Sequence, residues 1–270
     1  MKVFLLFALM LSGLFLTAGQ GLTNTSARSV SMANAVIASP SNESLFSNQA
    51  GLAGIRDFLI TVTYESKYGL NEYSTMALGT VIPFAKGTAG ISFTQFGRKL
   101  YRISKTGIAY SRNFGESVAA ALQFDVLSES FPENSLPFMT MTVEMGMITI
   151  ISPIVKVGFH LCNPFSYTKS AIVSMHRRPS VFRCGVAWII SNELNYFGEI
   201  EKMSGNLPCI KTGIEFSALG AFKLRAGVQG VDLQPSAGFG FINDRLMVDM
   251  GFSYHGNLGF SPIITLNYCL

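Results

Sequence analysis

The sequence predicts a transmembrane antiparallel β-barrel of about fourteen strands, with twelve as the open alternative. Three observations carry that expectation. From residue 58 onward, short segments alternate apolar and polar residues; the connections between them alternate short and long; and the chain is apolar yet has no second helical span. Its mean hydropathy is +0.36 and only 13% of its residues are charged. Beyond the leader, no run reaches the roughly 20 apolar residues a membrane helix needs.

Alternation is clearest near the end of the chain. Phe222, Leu224, Ala226 and Val228 alternate with Lys223, Arg225, Gly227 and Gln229. Leu246, Val248, Met250, Phe252 and Tyr254 are set against Met247, Asp249, Gly251, Ser253 and His255, and Ile264, Leu266, Tyr268 and Leu270 against Thr265 and Asn267. A period of two sends each set to its own face of a strand. A soluble periplasmic β-protein would alternate as well, so the connections must decide between the two.

Taken in order, Met1 and Lys2 lead an apolar, uncharged run over residues 3–16, followed by small Thr17, Ala18 and Gly19. Residues 1–19 therefore read as a cleaved signal peptide. Residues 20–57 are small and polar and read as a plug segment inside or beneath the barrel. Ser39 and Pro40 suit the N-cap and first position of a short helical turn. Val30, Met32, Val36 and Leu45 need an apolar surface on which to dock.

Residues 58–270 read as the barrel, with strand centres at Ile60, Ala77, Ile91, Ile108, Leu122, Thr142, Val157, Val186, Gly198, Ile214, Leu224, Phe239, Met250 and Leu266. The segments at Ala77, Ile91, Thr142 and Gly198 are the weakest, which keeps twelve strands open. If the first strand runs outward, periplasmic turns fall at 84–87, 113–116, 151–153, 191–194, 219–221 and 243–245. All are short and carry Gly, Pro, Asn or Asp. The two longest connections, 127–137 and 163–180, fall on the other side, as an outer-membrane barrel requires and a sandwich does not.

If the apolar set faces lipid, Lys156, Arg183, Lys211, Glu215, Lys223, Arg225 and Asp249 face the lumen. A charge facing lipid near the midplane costs about 2–4 kcal/mol, so energetics and pattern agree. A symmetric turn at Gly220 sets Glu215 opposite Arg225. These residues either brace and solvate the lumen or bind a ligand. Trp188, Tyr196, Tyr254 and Tyr268 suit interfacial girdles.

No enzyme signature is present. His160, His176 and His255 are scattered, with neither HExxH nor GxSxG, so no catalytic residue, cofactor or metal site is expected. Gly238, Phe239 and Gly240 lie inside a strand-like run, where glycine serves close packing. Cys162, Cys184, Cys209 and Cys269 lack CxxC spacing; they read as small hydrophobes, with a Cys162 to Cys184 disulfide as the alternative. Asn24 and Asn42 begin N-x-S matches, which carry no weight if the chain is bacterial, as an outer-membrane barrel suggests. A formal net charge of +4 is too small to suggest a nucleic-acid partner.

The stretch Ala27-Arg28-Ser29-Val30-Ser31-Met32-Ala33-Asn34-Ala35, followed by Asn48-Gln49-Ala50-Gly51-Leu52-Ala53, resembles the N-terminal signature of FadL-like outer-membrane proteins and their PorV/PorQ-type relatives. That signature is an Asn-Pro-Ala-Gly-Leu-Ala plug motif ahead of the first strand. Asn48, Gln49, Ala50 and Gly51 occupy it here, with Gln49 where the motif has proline. The segment Tyr254-His255 through Leu258-Gly259-Phe260-Ser261-Pro262 is similar to PorV/PorQ-type chains. The resemblance implies a fourteen-stranded Gram-negative outer-membrane barrel with an N-terminal plug and no enzyme activity. It also implies outer-membrane lipid and a hydrophobic ligand as partners, as for FadL-type carriers. The alternative is an accessory or surface-anchoring barrel with protein partners, as for PorV-type members of the type IX secretion system. An apolar pocket between plug and wall would mark the carrier. A filled lumen, with ordered outer loops bearing exposed apolar residues, would mark the accessory barrel.

Overall fold

The computed structural model describes residues 22, 25–99, 101–131, 137–168, 178–218, 220–230 and 232–270. The expected signal peptide, Asn24, His176 and part of several connections lie outside these residues. The strands are β1 (Leu59–Ser66), β2 (Ser74–Phe84), β3 (Gly87–Gly97), β4 (Arg102–Phe114), β5 (Val118–Ser130), β6 (Phe138–Ser152) and β7 (Val155–Thr168). They continue as β8 (Val181–Ile189), β9 (Leu194–Met203), β10 (Cys209–Ala218), β11 (Phe222–Gln229), β12 (Gln234–Asn243), β13 (Leu246–His255) and β14 (Gly259–Cys269). Each pairs antiparallel with its chain neighbours, and β1 closes onto β14 to form a fourteen-stranded transmembrane barrel. Every expected centre falls in its own strand, so the count is fourteen rather than twelve.

Closure leaves no edge strand, which removes the unpaired backbone that lipid would not tolerate. The connections at one end are two to four residues long, for example 85–86 and 244–245. Those at the other end include 67–73, 131–137 and 169–180. Two of these are shorter than the sequence suggested. Leu127, Ser128 and Glu129 continue the ladder onto Thr140, Met139 and Phe138, and β7 runs to Thr168, because paired backbone extends the strands into the expected loops.

The two faces differ sharply. Outward positions carry Ile108, Phe124, Met141, Ile200 and Leu224, all exposed, while inward positions carry buried Thr61, Ser92, Gln123, Thr142 and Thr265. Trp188 pairs with Tyr196 and Leu246 with Tyr268 at the short-turn end, and Tyr254 lies at the opposite end of its strand. These are the positions of two interfacial belts.

The lumen holds residues 25–53, and exposed Gly54, Arg56 and Asp57 lead from it to β1. Helix α1 (Ala27–Ser31) is capped by Ser26, whose side chain accepts from the Ser29 amide, and 3-10 turns follow at Asn42–Phe46 and Gln49–Gly54. The expected helical start at Ser39 and Pro40 is displaced. The turn begins after Ser41, whose amide donates to Ser44 Oγ at 3.0 Å, because Ser39 Oγ is engaged by the Arg28 guanidinium at 2.9 Å. Leu45 packs with Leu52, Val81 and Ala109, Met32 and Val36 with Ala187 and Phe197, and Val30 with Ile263. This lumen segment, the expected plug, sits close to the wall: a β-carbon on Gly158 would collide with the Ile37 carbonyl, and one on Gly213 with Met32.

Candidate functional site: the charged lumen

Inward residues of neighbouring strands converge on the plug in three linked groups. In the first, Arg225 Nε donates to Glu215 Oε2 at 2.7 Å across the β10–β11 pair, and also pairs with Asp249 of β13. Arg28 of α1 reaches the same Glu215 oxygen at 3.0 Å, so one carboxylate ties plug to wall. Glu43 lies nearby, accepting from Asn267 Nδ2 at 3.1 Å. Burial, reinforced by the Asp249 charge, lifts the Glu43 carboxyl to about 7.

The second group joins β8, β9 and β10. Lys211 Nζ lies 2.7 Å from Glu201 and 3.3 Å from Glu199, and Arg183 Nε lies 3.4 Å from Glu201. The other Glu199 oxygen accepts both the Val36 and Ile37 amides at 3.1 Å. The wall here supplies the hydrogen bonds that an irregular plug backbone lacks.

The third group joins β4 to β7. Lys105 Nζ lies 2.6 Å from Glu144 and 3.8 Å from Asp125. Gln49 Nε2 donates to Glu144 Oε2 at 2.9 Å, and His160 Nε2 lies 3.3 Å from that oxygen. Asn48 Nδ2 donates to the Ile37, Met147 and Phe159 carbonyls, and Asn48 Oδ1 accepts the Ala50 amide. Gly51, packed against Ser44, and Ala50 complete a formed turn, so Gln49 replaces the motif's proline without losing the turn.

Of the seven lumen residues read from the sequence, Arg183, Lys211, Glu215, Arg225 and Asp249 enter these groups. Lys156 and Lys223 share the inward parity but lie half-exposed near the short-turn ends of β7 and β11, away from the groups. Lys223 donates to Ser217 Oγ instead. Sequence reading missed Lys105, Asp125, Glu144, Glu199 and Glu201, although the same period-two rule applied to β4 to β9 places them inward; His160, read as a lumen or loop histidine, lies in the lumen. All four cysteines are free, so the Cys162 to Cys184 alternative is not formed.

Glu144, His160 and Cys162 each offer a donor atom within 4.8 Å of the others, a spacing compatible with a metal ion. Lys105 on Glu144 and Arg183 at 3.7 Å from the Cys162 sulfur already supply positive charge there. Beside this cluster, toward the long-loop end, lies a cavity of about 40 Å³. Leu22, Leu127, Val181 and Met203 line it together with Lys105, Glu144, Arg178 and Glu201, and its volume is far below the roughly 300–1,000 Å³ of a ligand pocket.

No protein-family model matches the chain, and no curated protein does. Solved structures do match. The monoaromatic hydrocarbon channel CymD aligns with 92% of this chain and 98% of its own at TM-score 0.72 and 12% identity. The Pseudomonas putida toluene transporter TodX aligns with 92% of this chain and 97% of its own at TM-score 0.63 and 10% identity. A Pseudomonas aeruginosa FadL homologue aligns with 90% and 97% at TM-score 0.62 and 11% identity. The barrel has the FadL-like outer-membrane channel fold.

Proposed function

We propose that this chain is an outer-membrane barrel that admits a small hydrophobic molecule, with residues 20–57 as a plug that must shift to let it pass. The observation that carries this reading is the fold shared with hydrocarbon channels along almost the whole chain. Two features support it. The outward apolar belt fits lipid, and the plug is held by discrete polar contacts that can open singly, such as the Gln49 to Glu144 bond. The filled lumen means that entry is gated.

Uptake of labelled toluene by cells with an intact outer membrane, with and without the chain, tests the reading. Faster entry with the chain supports it, and equal rates contradict it.

The packed lumen favours a second reading, in which the barrel binds a protein at its long-loop end without passage. Leu70, Phe131, Phe165, Leu207, Leu233 and Leu258 are exposed at or near that end. This reading is supported if toluene entry is unchanged while those residues are shielded from surface labelling in cells. Full labelling opposes it.

A further inference from the structure

The sequence reading left Cys162 and His160 without a role, and Gln49 as a departure from a motif. The structure brings the three together. His160 and Cys162 are two residues apart on the inward face of β7, and Glu144 pairs across the β6–β7 ladder with Cys162. Cys162 Sγ lies 3.2 Å from His160 Nδ1. On the other side of the ring, His160 Nε2 lies 3.1 Å from Gln49 Oε1 and 3.3 Å from Glu144 Oε2. Gln49 is oriented by its own amide nitrogen, which donates to Glu144 at 2.9 Å and to the Leu45 carbonyl at 3.4 Å.

That arrangement fixes the imidazole tautomer. Both groups facing Nε2 are acceptors, so Nε2 carries the proton, and Nδ1 keeps its lone pair toward the thiol. A thiol, an imidazole base and a carboxylate that orients the base form the arrangement that activates a nucleophile. Arg183 Nη2, 3.7 Å from the sulfur, adds a fixed positive charge that favours the thiolate. The cavity of about 40 Å³ beside the sulfur is lined by apolar Leu22, Leu127, Val181 and Met203 as well as by the charged Lys105, Glu144, Arg178 and Glu201. It holds on the order of two or three water-sized molecules.

The same donors could bracket a metal ion, but Lys105 and Arg183 already occupy the electrostatic role of a cation there. A small uncharged electrophile fits this mixed lining better than a second cation.

We propose that Cys162 is an activated thiol that reacts with a small hydroperoxide. His160 Nδ1 takes the thiol proton, and the thiolate attacks one oxygen of the peroxide. The sulfur–oxygen bond forms as the oxygen–oxygen bond breaks, and the departing alkoxide or hydroxide takes the proton from His160. Sulfur is oxidised to a sulfenic acid and the peroxide is reduced to alcohol or water. The step uses no other reactant.

The test is treatment of the full chain, folded in detergent, with hydrogen peroxide and a sulfenic-acid trap, followed by mass spectrometry of each cysteine. Cys184, Cys209 and Cys269 are all more exposed than Cys162 and serve as internal controls. The expected result is that Cys162 is trapped first, and that His160→Gln slows its trapping on the order of a hundredfold. Trapping of any other cysteine first, or an unchanged rate in a folded His160→Gln variant, would overturn the proposal. Stoichiometric cobalt binding with a thiolate absorption band that Cys162→Ser removes would also overturn it, by making the cluster a metal site. If His160→Gln does not fold, the order among the four cysteines in the native chain decides alone.

Discussion

Strands β9 to β14 and strands β4 to β7 hold the same plug by different means. On the first side the wall binds the plug's backbone and Arg28, its one ion-paired cation among the described residues. Glu199 accepts two consecutive amides, Ser236 accepts the Ala33 amide, Thr265 accepts the Ala27 amide, and Glu215 pairs with Arg28. On the second side the charges of Lys105, Asp125 and Glu144 chiefly satisfy one another, and the plug joins them through Gln49. Asn48, Ser111 and Asn113 add hydrogen bonds to carbonyls there, without charge pairs. Detaching the plug from β9 to β14 strands buried charges and amides, whereas lifting it from β4 to β7 leaves the wall network largely complete. On the proposed reading, the plug hinges on the first side and opens on the second.

The contrast breaks most visibly at Glu215. Its replacement by alanine leaves Arg28 and Arg225 buried with one partner fewer, and a loss of about 3–5 kcal/mol is expected. Urea unfolding followed by the heat-modifiable gel shift reads it. Asn48→Ala removes hydrogen bonds to carbonyls but no charge, so a loss of about 1–3 kcal/mol is expected in the same assay.

A smaller effect is expected for Gln49→Pro, which restores the motif. Asn48 already has an extended backbone, with φ −130° and ψ 101°, that tolerates a following proline, and position 49 is the first of its turn. Loss of the bond to Glu144, about 1.5–3 kcal/mol, is partly offset by about 0.4–1 kcal/mol from the stiffer unfolded chain. The same variant frees His160 Nε2 from one acceptor and tests whether the plug motif serves the Cys162 site.

The smallest expected effect is a pH dependence at Glu43. Its carboxyl is raised to about 7 in the fold, so the folded state holds more protons than the unfolded state between about 4.5 and 7. Its contribution is complete below that window and is lost as pH rises through it. Glu43→Gln is expected to flatten the stability profile there, as measured by urea midpoints across the window.

The barrel was legible because one physical rule, lipid on one face and lumen on the other, acts on every strand separately. Even the weak segments at Ala77, Ile91, Thr142 and Gly198 obey it. The lumen groups were legible only in part. Lys211, Glu215 and Arg225 stand out in strands with clean alternation. Lys105, Asp125 and Glu144 lie in stretches where methionine, alanine and threonine blur the two faces. The Gln49 to Glu144 bond joins residues 95 apart, and no local spacing announces it. Ser41 replaces Ser39 at the turn start because Arg28 engages Ser39, another contact between distant turns.

The central claim, a plug that must move for a hydrophobic molecule to enter, is tested most directly by locking the plug. Asn48 and Gly146 face each other on the side expected to open, and a β-carbon built on Gly146 lies 3.3 Å from the Asn48 Cγ, within reach of a disulfide between the two positions. Asn48→Cys with Gly146→Cys, in a chain whose own cysteines are replaced by serine, joins the Gln49–Gly54 turn to β6. The expected result is that toluene uptake into cells stops when the bond is formed and returns on reduction. Equal uptake in the locked and reduced states would contradict the claim.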